Sequence, residues 1–98
     1  MKNIFILFNS SNKNKRYTIK TEKKTIHFGS PLYENYTIHK NIVRKNAYIN
    51  RHEKNEDWSN PYTAGFWSKH LLWNKPTLNE SIKDTEKRFN IKIINSIV

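Results

Sequence analysis

Lys15 to Gly29 reads KRYTIKTEKKTIHFG, two short runs in which β-branched and aromatic residues alternate with polar ones. In the first run Tyr17 and Ile19 fall on one side, and Arg16, Thr18 and Lys20 on the other. After a turn at Thr21-Glu22-Lys23, Ile26 and Phe28 repeat the pattern until Gly29-Ser30-Pro31 ends it. Period-two alternation puts successive side chains on opposite faces of a pleated strand. Two such runs across a short turn predict an antiparallel hairpin with an apolar inner face and a cationic outer one.

Working outward, Asn3-Ile4-Phe5-Ile6-Leu7-Phe8 is an apolar run that reads as a buried strand, followed by a polar loop, Asn9 to Lys15. The run is far shorter than a membrane span and lacks the features of a secretory signal, so neither membrane insertion nor secretion is expected. Downstream, Tyr36-Thr37-Ile38 is expected to add a short edge strand. From Asn41 to His52 the spacing becomes helical, with Ile42 and Ile49 on an apolar side and Arg44, Ala47, Tyr48 and Arg51 on the adjoining stripe. A polar connection carries Trp58 and Pro61, and Thr63 is placed to cap a helix running to Trp73. Phe66, Trp67, Leu71, Leu72 and Trp73 surround that helix too broadly for one stripe, so most of them are expected in the core and at least one at the surface.

Asn74-Lys75-Pro76 breaks the helix. Thr77-Leu78-Asn79-Glu80 then has the spacing of a capping box, and Leu78, Ile82, Thr85 and Phe89 form the buried stripe of the helix it starts. Asn90 to Ile94 alternates again, as a returning strand would. The expectation is one α+β domain over residues 1–98, mainly β to residue 39, mainly α over 40–90, with a terminal strand in 91–98. A small antiparallel β-sheet would pack against two or three α-helices.

The net charge is +10, from 18 Lys and Arg against 8 Asp and Glu. Residues 1–54 hold twelve basic and three acidic side chains, whereas residues 55–98 hold six and five. Such a field concentrates polyanions, so the expected partner is nucleic acid, DNA ahead of RNA, or an acidic protein of virus or host. The candidate phosphate contacts are Arg16, Lys20, Lys23 and Lys24 on the hairpin, with Lys40, Arg44, Lys45 and Arg51 along the first helix. Trp58, Trp67 and Trp73 are candidate aromatic contacts, because an exposed indole stacks on bases or anchors a protein interface.

Catalytic chemistry finds little footing. There is no cysteine, and Gly29 and Gly65 are far apart, so no thiol nucleophile or phosphate loop can be built. His27, His39, His52 and His70 include no i, i+3 or i, i+4 pair of the kind that ligates zinc from one helix. A nuclease reading through His39 or His52 is weakened by the scarcity of carboxylates, since magnesium-assisted phosphodiester chemistry needs clustered acids. A protein without catalytic activity, metal or cofactor is the expectation.

The segments KTIHFG (24–29), YTIHK (36–40), YINRH (48–52) and TAGFWSKHLLWNKPTL (63–78), in this order, resemble a family of small basic proteins encoded by nucleocytoplasmic large DNA viruses. The resemblance spans about residues 15–90. It implies a viral protein, in the virion or in the viral factory or nucleus of an infected cell, either genome-associated or acting as a virion adaptor. The family has no defined activity, so the resemblance carries over no site residue. The chain departs from it in its apolar start, Met1 to Phe8, and at Asn41, where an acidic residue would be expected. Asn41 can still cap a helix without the charge.

Overall fold

The computed structural model describes residues 3–97; Met1, Lys2 and Val98, and the parts of the expected strands that fall on them, lie outside the described residues. The fold is α+β. The predicted hairpin forms: β2 (Tyr17–Lys20) and β3 (Thr25–Phe28) pair antiparallel, Ile19 opposite Ile26. The apolar run becomes β1 (Ile4–Asn9), antiparallel to β2 with Leu7 opposite Ile19. The returning strand is β4 (Lys92–Asn95), but it runs parallel to β1, with Phe5 opposite Ile93. The sheet, ordered β3-β2-β1-β4, is therefore mixed rather than wholly antiparallel. The reason is connectivity, because the helical connection from β3 to β4 is a long crossover that allows β4 to run in the direction of β1.

Between β3 and β4 lie α1 (Tyr36–His39), α2 (Ile42–His52), α3 (Ala64–Trp67), a π-helical segment (Ser68–Leu72) and α4 (Leu78–Phe89). Tyr36-Thr37-Ile38 is thus one turn of helix, not an edge strand. Asn35 caps it by accepting the Thr37 N–H at 3.0 Å, and Lys40 ends it in the left-handed region at φ 54°. Local capping outweighs the β preference of three residues. Asn41 caps α2 through the N–H groups of Val43 and Arg44, at 3.0 and 3.2 Å. The helix predicted from Thr63 to Trp73 starts on its Thr63 cap but changes pitch at Ser68, and the Trp73 N–H reaches back five residues to the Ser68 carbonyl at 3.2 Å. On α4 the Thr77 hydroxyl accepts the Glu80 N–H at 3.2 Å, as the capping-box spacing predicts.

The inner face of the sheet carries Phe5, Leu7, Ile19, Ile26, Phe28 and Ile93, and it packs against Phe66, Trp67, Leu71 and Leu72 of the α3–π segment and Ile82 of α4. Leu78 and Phe89 complete the predicted α4 stripe from the edge of this core, while Thr85 is fully buried. The expected apolar side of α2 is not buried: Ile42 is 52% exposed, and Tyr48 is the buried residue of that helix. One glycine is required by its backbone angle, and the other sits against the end of a side chain that can swing aside. Gly29 has φ +81°, and a Cβ there would lie 2.8 Å from Leu72; a Cβ on Gly65 would lie 2.7 Å from the Glu56 carboxylate. Among the described residues, no helix is long and apolar enough to cross a membrane.

Candidate nucleic-acid interface

The eight cations selected from the sequence divide by what each one touches. Four hold backbone carbonyls. Arg16 donates from Nη2 to the Ser30 and Tyr33 carbonyls at 3.3 and 3.0 Å, closing the loop after β3. Lys24 Nζ donates to the Tyr62 carbonyl at 3.0 Å. Lys40 Nζ bridges the Thr37 and Pro76 carbonyls at 2.9 and 2.7 Å, and Lys45 Nζ reaches the Asn74 carbonyl at 2.7 Å. Charged donors make stronger hydrogen bonds than neutral ones, so these side chains act as braces. They keep their charge but not their freedom. The outer hairpin face is accordingly less cationic than its alternation suggests, with Lys20 beside Thr18, Thr25 and His27.

The other four are freer. Lys20 and Lys23 line a cleft of about 550 Å³ floored by Ile4, Ile6 and Tyr62, with Lys20 Nζ 5.4 Å from the Phe8 ring and Lys23 Nζ 5.2 Å from the Tyr62 ring. Arg44 is 3.8 Å from the Glu34 carboxylate, an exposed pair of little energetic weight. Arg51 lines a separate cleft between the end of β3 and α2. The eight do not form the single strip expected from a hairpin face and a helix side.

A denser cationic group gathers Lys45 with three cations that the sequence did not single out as contacts. Lys75, Arg88 of α4, Lys69 of the π segment and Lys45 of α2 lie close enough to one another and to the Asp84 carboxylate for their charges to interact. Asp84 accepts from Asn74 Nδ2 at 2.7 Å and Arg88 Nη2 at 2.9 Å. The Asn74 hydrogen bond leads in holding its carboxyl below the usual range, helped by Arg88 and Lys75. Burial lowers the pKa of the Lys69 ammonium, and Arg88 and Lys45 push it the same way. Lys45 is lowered first by burial, then by Lys75 and Arg88. Four cations thus crowd a region whose one carboxylate is already bonded to Arg88, and Lys45 among them is braced on the Asn74 carbonyl. An arriving phosphate would relieve their repulsion, whereas a further cation would add to it. The legible signal was Asp84 sitting among Lys83, Lys87 and Arg88 on α4; the convergence of Lys45, Lys69 and Lys75 is tertiary.

The tryptophans differ in the same way. Trp67 is fully buried, its Nε1–H donating to the Pro61 carbonyl at 2.8 Å, which corrects its selection as a contact residue. Trp58 and Trp73 are half-buried. Trp58 donates from Nε1 to Glu56 at 3.2 Å while Lys69 Nζ lies 5.5 Å from its ring. Trp73 stacks on Tyr48, centroids 4.4 Å apart and planes 2° from parallel.

The histidines have structural partners. His70 belongs to the core rather than the surface: Nε2–H donates to the Trp58 carbonyl at 2.8 Å, and its ring meets Phe66 and Phe89 edge-on. Burial pushes its pKa down to about 4. His39 Nδ1 accepts the Asn41 N–H at 2.9 Å, and burial followed by Arg44 lowers its pKa. His27 Nδ1 lies 2.7 Å from the Thr18 hydroxyl, and His52 stacks on Tyr48 at 4.3 Å. Among the described residues, no three His, Asp or Glu side chains come together in a way that could hold a metal ion.

No curated protein and no solved structure matches the chain. Residues 6–52, just under half of the sequence, are similar to a protein family of unknown function, DUF5754, over a stretch from β1 through α2.

Proposed function

We propose that the chain is a non-enzymatic nucleic-acid-binding protein that grips phosphates. The observation that carries this reading is the crowding of Lys69, Lys75 and Arg88 beside the braced Lys45, with the Asp84 carboxylate already bonded to Asn74 and Arg88, a field that a polyanion relieves. Phosphate contacts of this kind release counterions and carry little base information. The sequence resemblance to small basic proteins of large DNA viruses supports a place on a viral genome, in the particle or in the infected cell.

The test is titration of labelled single-stranded and duplex DNA at several salt concentrations. If Lys69, Lys75 and Arg88 neutralise three phosphates, log K should fall linearly with log salt with a slope of about −2 to −3. No binding at low salt, or binding indifferent to salt, overturns the proposal. Salt-indifferent capture of a protein would instead favour an adaptor role. That second reading draws on the open outer face of the sheet, where Ile4 and Ile94 are 54% and 41% exposed beside Ile6 and Phe8.

A further inference from the structure

The cleft that Arg51 lines has a chemistry of its own. It encloses about 410 Å³, within the range of small-ligand sites, between the end of β3, the loop carrying Tyr33 and Asn35, α2 and Trp73. Two of its lining residues are buried yet incompletely bonded. Asn35 is 4% exposed; its Oδ1 is taken by the N–H and hydroxyl of Thr37, but its Nδ2 donates to none of the described residues. Tyr48 is 7% exposed, and its hydroxyl likewise meets no described partner. Neither atom is sealed away from solvent, unlike the orphaned nitrogens of Arg16, His39 and His70. Burial raises the Tyr48 pKa, so its hydroxyl remains protonated and able to donate.

Lys15 and Arg51 add two cations that no carboxylate of the described residues pairs with. Two carboxylates share the wall: Glu34 lies 3.8 Å from Arg44, and Glu56 accepts from Trp58, lies 3.4 Å from His52 on the same wall and adds to burial in raising the Tyr48 pKa. Against them stand four donors that no described residue takes up, on Lys15, Arg51, Tyr48 and Asn35, a set that suits an acceptor-rich anion. At its mouth Tyr33 is 73% exposed while its carbonyl is held by Arg16, so the backbone is fixed and the ring is open to stacking.

We infer that this cleft binds one phosphorylated nucleotide, its monoester phosphate received by Lys15, Arg51, the Tyr48 hydroxyl and Asn35 Nδ2, and its base laid on Tyr33. A monoester carries close to two negative charges against one for an internal diester, which matches a paired cation. The shared chemistry is a nucleoside monophosphate, either free or at the end of a strand. The strand-end source rests on the nucleic-acid reading above; the free nucleotide does not.

The experiment compares a single-stranded decamer bearing a 5′-phosphate with the same decamer bearing a 5′-hydroxyl, and titrates free nucleoside 5′-monophosphate beside inorganic phosphate. The 5′-phosphate should raise affinity about tenfold, the effect of charge-assisted hydrogen bonds in a partly enclosed site. Tyr48→Phe, which keeps the stacked ring, should cut that preference to about threefold or less while leaving affinity for the 5′-hydroxyl strand unchanged, and Arg51→Gln should cut the preference likewise. A triple variant, Lys69→Gln, Lys75→Gln and Arg88→Gln, should weaken both decamers equally and preserve the ratio. Equal binding of both decamers with no saturable nucleoside monophosphate binding overturns the assignment, as does a preference that survives Tyr48→Phe and Arg51→Gln. If free nucleoside monophosphate binds and Tyr48→Phe weakens it, while neither decamer binds, the cleft is upheld with a free nucleotide as its ligand and the nucleic-acid reading fails.

Discussion

Residues 1–54 carry nine excess positive charges and residues 55–98 only one, yet the two halves use them in the opposite sense. In the first half Arg16, Lys24, Lys40 and Lys45 are committed to carbonyls of loops and helix ends. The second half supplies Lys69, Lys75 and Arg88, three of the four cations crowded around Asp84. Net charge by segment is thus a poor guide to where a polyanion would bind. What a cation is bonded to decides whether it is a brace or a contact, and that is a property of the fold.

Removing the second-half cations tests this division between brace and contact most severely. Lys69→Gln, Lys75→Gln and Arg88→Gln together should weaken DNA binding about a hundredfold near physiological salt and make the salt slope shallower by about 2 to 3 units, one per lost phosphate contact. Fluorescence anisotropy across a salt series measures both, and an unaltered slope would return the interface to the amino-terminal half.

Next in size is an effect on stability set by His70, which lies in the core against Phe66 and Phe89. Its pKa is about 4 in the fold against an ordinary 6.5. A base whose pKa is lowered by folding binds protons preferentially in the unfolded chain between those values, so stability is present above pH 6.5 and is lost as pH falls towards 4. The loss should reach about 2 kcal/mol at pH 5. Lowered His39 adds in the same direction, whereas Asp57 and Asp84, lowered from 3.8, act only at lower pH. Urea unfolding at pH 7 and pH 5 reads the difference, and His70→Gln should remove most of it.

The smallest effect separates brace from contact directly. Arg16→Gln should cost about 1 kcal/mol of stability through its two partly exposed carbonyl bonds, and change DNA affinity less than twofold. A large affinity loss with no loss of stability would mean that Arg16 meets phosphate after all.

Local signals in the sequence were sufficient for much of the architecture. The alternation of Tyr17, Ile19, Ile26 and Phe28 specifies the hairpin and its inward face, and Thr77 with Glu80 marks the start of α4, because these are relations between near neighbours. Tyr36-Thr37-Ile38 misleads because its strand propensity competes with a cap from Asn35 and a left-handed stop at Lys40. The breadth of the Phe66–Trp73 aromatic cluster shows in the pattern, but its cause, a change to π pitch, does not. The candidate sites were least legible. Lys40 meets the Pro76 carbonyl 36 residues away, Lys45 that of Asn74 29 away, and the donor-lined cleft joins Lys15 to Arg51 and Trp73. No window along the chain contains those pairings.

The place of β1 in the sheet has a consequence for synthesis. It lies between β2 and β4, and Ile4 pairs with Lys92, 88 positions later. A nascent chain can form the β1-β2-β3 meander early, but the opposite edge of β1 stays unpaired until β4 has left the ribosome. Closing a loop of that length is slow relative to local pairing. Throughout that interval the exposed edge beside Ile4, Phe5, Ile6 and Leu7 is a template for strands of other chains, so the pace of translation through α4 sets how long the protein is open to aggregation.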